Sequence, residues 1–389
     1  MWYFRSPEIV FGQDALDHLT QLSGNRALIV TDPTMVELGI VKKVADKLEL
    51  AGISSEVFSE VMAEPPVEVI QRGAAAMTEF QPDWIVGLGG GSPLDAAKAM
   101  WILYENPDLD ILAVNPFEPF NLRKKANMVA ISATSGTGAE ATWGIVLTDP
   151  ADQRKVAIGS PLNLPDLAIV DPALAGTMPP RLTADTGMDA LTHAIEGYTS
   201  TWHNDFSDGL CLKAIQLIFE YLPRAVADGQ DEEAREKMHN AAAIAGLGFI
   251  NSMCSMAHAL GHSLGAIYNL PHGRTVGLFL PYTIQFNAFD GNRTRYHQIA
   301  KFLDLPAGSA EQGTASLVQA IHQLAEQIGQ PRSIQQALDI SLAELESDLD
   351  RLVEHAEDDT QIITAFRSPG ADDIRNLFLY AYHGQDIDW

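Results

Sequence analysis

Short β-branched runs separated by helix-length segments recur through about the first 175 residues and then stop, which leaves few architectures open to the chain. RALIVTD (26–32), DWIVGLGG (83–90), NMVAISA (127–133) and DLAIVDP (166–172) predict buried strands. Between the first two lie PTMVELGIVKKVADKLELAG and PPVEVIQRGAAAMTEF, both with helical periodicity. Strand, helix, strand in this order predicts a parallel sheet with helices on both faces. After MPPRLTAD (178–185) the strand signal ends and amphipathic helices follow. In residues 310–328, Leu317, Ile321, Leu324 and Ile328 recur at helical spacing, with Gly329 and Pro331 supplying the stop. With 389 residues, 46% of them hydrophobic, the chain can fill two cores. The expectation is a Rossmann-like α/β nucleotide-binding domain over residues 1–178 and an all-α domain over 179–389, with chemistry in a cleft between them.

Charge and cysteine usage exclude several classes. Asp plus Glu number 51 against 25 Lys plus Arg, a formal charge of −26 that repels phosphate backbones and anionic membranes, so neither nucleic acid nor membrane is an expected partner. The two cysteines, Cys211 and Cys254, lack the spacing of a zinc knuckle or redox pair. MWYFRSPEIVFGQD has no basic stretch followed by an apolar core, so the expected location is the cytoplasm. Residues 238–273 contain no Asp, Glu, Lys or Arg, but their histidines, asparagines and glycines fit a helix buried within a globular domain better than one facing lipid.

Two segments have the make-up of a phosphate cradle. Gly89, Gly90, Gly91 and Ser92 stand where a strand turns into a helix, with Pro93 expected at its first position; glycine backbone and a helix N-terminus suit a pyrophosphate. SATSGTGAEATWG clusters the hydroxyls of Thr134, Thr137 and Thr142 after the next predicted strand. Asp32 ends RALIVTD, where a carboxylate accepts bonds from ribose hydroxyls and repels a 2′-phosphate, favouring NAD over NADP. Each segment, taken alone, also suits an ordinary polar turn or helix cap.

Four of the 11 histidines gather in two segments with an acid. GMDALTHAIEGYTS places Asp189 and His193 on one helical face; SMAHALGHSLGAIYNLPHG places His258 and His262 on another, with His272 beyond a turn at Pro271. A lone histidine here reads as a satisfied core residue, but one carboxylate with three imidazoles in the least charged part of the chain suits a divalent transition metal. Spacing does not choose between His258 and His262.

GGGSPLDAAKA, SGTGAEAT, MDALTHAIEGY and AHALGHSLGAIYNLPHG together resemble the iron-containing, group III alcohol dehydrogenase family, in order and spacing over essentially the whole chain. The resemblance implies the dehydroquinate synthase-like fold and a metal, Fe(2+) or Zn(2+), held by Asp189, His193, His258 and His272. It places His262 beside nicotinamide and substrate as a proton relay. It carries Asp32 to the adenosine ribose, Gly89, Gly90, Gly91 and Ser92 to the pyrophosphate, and Thr134, Thr137, Thr142 and Lys155 to the same dinucleotide, with Phe249 lining the substrate pocket. Gly144, and Glu64 with Pro66, depart from the usual pattern around the nicotinamide and substrate. The expected activity is hydride transfer between NAD and small primary alcohols, diols or their aldehydes, in a homodimer or higher homo-oligomer. Three rivals remain: a carbonyl-acid reductase of the maleylacetate type, a dehydroquinate synthase-like lyase, and a non-enzymatic binding protein. The lyase needs a basic substrate pocket, for which Arg274 is the main cation near the ligands.

Overall fold

The computed structural model describes residues 3–63, 65–149, 154–289 and 294–389, so Glu64 lies outside the described residues. The chain divides into two compact units, Met1–Thr177 and Met178–Trp389.

The first unit runs β1 (Glu8–Phe11), β2 (Arg26–Val30), α1 (Pro33–Glu37), α2 (Ile40–Leu50), β3 (Ser54–Phe58), α3 (Val67–Phe80), β4 (Trp84–Gly89), α4 (Gly91–Glu105), β5 (Asn127–Ser132), β6 (Gly144–Asp149), β7 (Arg154–Gly159) and β8 (Leu167–Val170). Six strands form one sheet, order β1-β8-β5-β4-β2-β3, parallel at every pairing, while β6 and β7 form a separate antiparallel hairpin. Alternation along each strand splits its residues between two apolar layers. Leu28 and Val30 join the residues of α3 and α4 on one face, whereas Ala27 and Ile29 join those of α2 on the other. The chain passes from β2 outward to β3 and then back across β2 to β4, so the order reverses between β2 and β4, where doubly wound sheets open a ligand crevice.

The four strands read from the sequence, β2, β4, β5 and β8, are the four interior ones; β1 and β3 are the edges. Two local expectations need correction. The helical stretch 33–52 breaks at Gly39, whose φ of 70° ends α1 and starts α2. Helix α4 begins at Gly91, so Pro93 occupies its third position, still within the first turn whose N–H groups lack helical partners.

The second unit is helical: α5 (Pro180–Thr199), α6 (Asp205–Ala227), α7 (Glu232–Phe249), α8 (Met256–Tyr268), α9 (His272–Ala288), α10 (Tyr296–Phe302), α11 (Ala310–Gln327), α12 (Ile334–Ala337), α13 (Leu342–Glu357) and α14 (Ala371–His383). The uncharged run 238–273 is not one helix but the later part of α7, a turn, all of α8 and, after a second turn, the first two residues of α9. Glycine brings α8 and α5 close to α9: a Cβ on Gly261 would stand 2.6 Å from Val276 Cγ1, and one on Gly273 would strike the Asp185 carbonyl. Among the described residues no helix is long and apolar enough to cross a membrane.

Candidate metal centre

Helix α5 carries Asp189 and His193 one turn apart, α8 carries His258, and α9 opens on His272 just after Pro271. One donor atom from each of these four lies within 4.8 Å of all the others. Asp189 Oδ1 is 3.2 Å from His272 Nε2, 3.8 Å from His193 Nε2 and 3.9 Å from His258 Nε2. Donors about 2.1 Å from a shared tetrahedral centre lie about 3.4 Å apart, so these spacings bracket what a small divalent cation asks. Asp189 Oδ1 and His258 Nε2 are buried without an aligned hydrogen-bond partner, a costly state that a cation would relieve. The residues present therefore fit a metal.

The electrostatics agree with the donor set. Burial pushes the Asp189 carboxyl up, but the imidazoles of His193, His272 and His258 outweigh it and hold the group below the usual carboxylate range. Burial pushes His193 down to about 3 and His272 to about 4, against the opposing pull of Asp189. An ionised carboxylate facing the neutral imidazoles of His193 and His272 is the protonation state that coordination requires.

His262, one turn along α8, stays outside the set: its ring stacks on His272 at 5.0 Å, and its Nδ1 lies 2.6 Å from Asp359 Oδ2. Burial raises the Asp359 carboxyl, yet His262 and the Gln361 N–H bring it below its ordinary value. His258 Nδ1 has an equivalent partner in Glu196, at 2.6 Å, which raises the imidazole despite burial. Phe249 lies flat against His193, with ring centroids 4.2 Å apart. Neither Glu196 nor Asp359 is foreseen in the sequence. Glu196 does continue the stripe of Asp189 and His193 at helical spacing; Asp359 lies 97 residues from its partner and leaves no local signal. Glu196, Cys254 and His258 form a second group of metal-binding residue types. Both Glu196 oxygens are already taken by Ser255 N–H, Ala257 N–H and His258 Nδ1, so this group is internally satisfied. A concavity of about 850 Å³ around His322 and Arg332 shares no residue with the cluster.

In the first unit, Asp32 and Gly89–Ser92 meet where the sheet order reverses. Asp32 Oδ1 accepts the Met35 N–H and caps α1, and its Oδ2 would be 3.2 Å from a Cβ on Gly89, whose φ is 141°. A Cβ on Gly90 would come 3.2 Å from Thr134 Cγ2, and one on Gly91 2.9 Å from Thr137 Cγ2. These two glycines thus make room for the threonine loop as well as for any ligand. Thr142 lies 3.4 Å from Nζ of Lys98, a fully buried cation that donates to the Gly144 carbonyl at 2.9 Å. Lys155 sits on β7, in register with Thr148 of β6.

Two family models account for most of the chain: one described as iron-containing alcohol dehydrogenase matches residues 6–172, and the C-terminal model of the Fe-containing alcohol dehydrogenase family matches 183–382. An NADPH-dependent butanol dehydrogenase of Clostridium saccharobutylicum is 38% identical, with 98% of each chain covered. The crystal structure of a 1,3-propanediol oxidoreductase matches over 98% of this chain and 100% of its own, with 33% identity and a TM-score of 0.91. A sulfoacetaldehyde reductase from Bifidobacterium kashiwanohense, solved in complex with NAD+, matches over 98% of each chain at 29% identity and a TM-score of 0.86. The chain belongs to the iron-containing alcohol dehydrogenase family.

Proposed function

We propose that this protein is an NAD-dependent, divalent-metal-dependent dehydrogenase of small primary alcohols and diols, which also reduces the matching aldehydes. The observation that carries this reading is the convergence of three Nε2 atoms on Asp189 Oδ1, with Asp189, His193 and His258 buried and His272 partly exposed. Asp189, His193, His258 and His272 would hold the cation, iron as the family name suggests, with zinc the rival by affinity. A metal there would supply Lewis acidity to an alcohol oxygen, and a bound NAD would supply the hydride acceptor.

The remaining steps fall to the chain's own groups. Asp359, kept ionised, accepts from His262 Nδ1, which leaves His262 Nε2 free to take a proton from the substrate side. Phe249, stacked on His193, keeps one flank of the cage apolar and lines the substrate pocket. Gly89–Ser92 would hold the pyrophosphate together with the hydroxyls of Thr134, Thr137 and Thr142, and Lys155 would serve the same dinucleotide. Asp32, a carboxylate at the end of β2, favours a free ribose 2′-hydroxyl over a 2′-phosphate, in contrast to the NADPH named for the butanol dehydrogenase.

The test is cofactor reduction with a panel of short primary alcohols and diols, on metal-stripped protein reloaded anaerobically with Fe(II) or Zn(II). NAD and NADP are compared in parallel. Turnover restored by one metal with NAD is the expected result, and His193→Ala should lose both tight metal binding and turnover. A metal-free, fully active His193→Ala variant would sink the assignment.

A further inference from the structure

A neutral imidazole holds its proton on either nitrogen, and only the deprotonated nitrogen serves a metal. For His258 the choice is made by a side chain from another helix. Asp189, His193 and Glu196 follow one another along one face of α5, and the Glu196 side chain is only 6% exposed. Its Oε2 lies 2.6 Å from His258 Nδ1 and accepts the Ser255 N–H at 2.8 Å; its Oε1 accepts the Ala257 N–H at 2.6 Å. The Ser255 side chain caps nothing, so Glu196 does from α5 what the N-cap of α8 would otherwise do. With both oxygens occupied as acceptors, His258 donates from Nδ1. In the neutral ring that leaves Nε2 without a proton, and Nε2 is the atom facing Asp189 Oδ1 at 3.9 Å.

We propose that Glu196 is the positioning residue of the metal centre. It sets the tautomer and tilt of His258 through Nδ1 and, through two backbone bonds, seats the start of α8 against α5, so that ligands from two helices are arranged before a cation arrives. The proposal rests on the reading of Asp189, His193, His258 and His272 as the cage. Glu196→Gln tests it, because one oxygen and one amide group do not serve three donors, and an amide turned toward Nδ1 would push the proton onto Nε2.

The readout is the affinity of the full-length, metal-stripped protein for Co(II), measured against a competing chelator, with the urea midpoint of the same protein alongside. Thr364→Val is the comparison. It removes the hydroxyl donated to the Cys254 carbonyl and so loosens the same turn without touching His258. The expected result is that Glu196→Gln binds Co(II) about 10- to 100-fold more weakly, whereas Thr364→Val keeps wild-type affinity even with a lowered midpoint. Wild-type affinity in Glu196→Gln overturns the proposal. So does a loss in Thr364→Val that matches its loss of stability, because Glu196 would then be only a helix cap. If Glu196→Gln does not fold, Glu196→Asp takes its place under the same two criteria. Equal Co(II) affinity in wild type and His193→Ala would instead defeat the cage itself.

Discussion

His258 and His262 stand one turn apart on α8, each with a buried carboxylate 2.6 Å from Nδ1, and yet only His258 joins the donor cluster. Spacing leaves this choice open because both histidines share a helical face; what separates them is where Asp189 and Asp359 fall, on elements far away in sequence. Asp359→Asn removes the charge that favours a proton on His262 Nδ1 while leaving the four donors alone. The expected outcome is a fall in kcat on the order of 10²-fold with Co(II) affinity little changed, read from steady-state kinetics beside a metal titration. Unchanged kcat would remove His262 from the proton path. A different residue-scale effect is expected at Lys98. Burial lowers its ammonium and raises the carboxyl of Asp95, 3.6 Å away, so each depends on the other to remain charged. Lys98→Met strands Asp95 and should cost about 3–5 kcal/mol in urea unfolding, while the double variant with Asp95→Asn should cost clearly less. Equal losses in the single and double variants would mean that the pair is not coupled.

Among the elements, legibility follows burial. The interior strands β2, β4, β5 and β8 are continuous apolar runs because helices cover both their faces, and such runs are visible in the sequence. The edge strand β3, SSEVF, is largely exposed and reads as polar; hairpin β6–β7 lies outside the main sheet and lacks its pattern. The ligand helices are legible for a related reason, since Asp189–His193 and His258–His262 repeat at one helical turn. How closely those helices pack is not legible, because it depends on glycines whose neighbours come from other segments. Gly273→Ala sets a methyl against the Asp185 carbonyl and 3.0 Å from Asp189 Cβ, beside His272. The expected cost is about 1–3 kcal/mol, with weaker Co(II) binding because the strain falls on two of the donors. Gly209→Ala, in α6 with nothing beyond its own helix backbone and chain neighbours within 4 Å of the added Cβ, should instead raise stability by about 0.5–1 kcal/mol and leave the metal untouched. Wild-type Co(II) affinity in a destabilised Gly273→Ala protein would uncouple the α5–α9 contact from the cage.

For the molecule as a whole, buried imidazoles and a formal charge of −26 make opposite demands as the pH falls. His193 and His239 are buried, and desolvation lowers them to about 3 and about 4 from an ordinary value of 6.5. Between that ordinary value and their folded values, the unfolded chain holds protons that the folded chain refuses. Stability therefore drops with acid, by about 1.4 kcal/mol per pH unit for each group. His258, raised by Glu196, works the other way: its contribution is full below the ordinary histidine value and is lost as pH rises through its folded value. Asp189 and Asp359 are held low, so their contribution is intact above the ordinary carboxylate range and fades only at lower pH. Acid also reduces the negative charge and its self-repulsion, a gain that salt screens away. Metal-stripped protein unfolded by urea in about 0.5 M salt should therefore lose stability steadily from pH 6.5 to 4.5, where the buried imidazoles dominate. His239→Gln, in α7 and outside the donor cluster, should flatten that slope by about 1.4 kcal/mol per pH unit whatever its effect at neutral pH. An unchanged slope would mean that His239 takes up its proton in the folded protein as readily as in the unfolded chain.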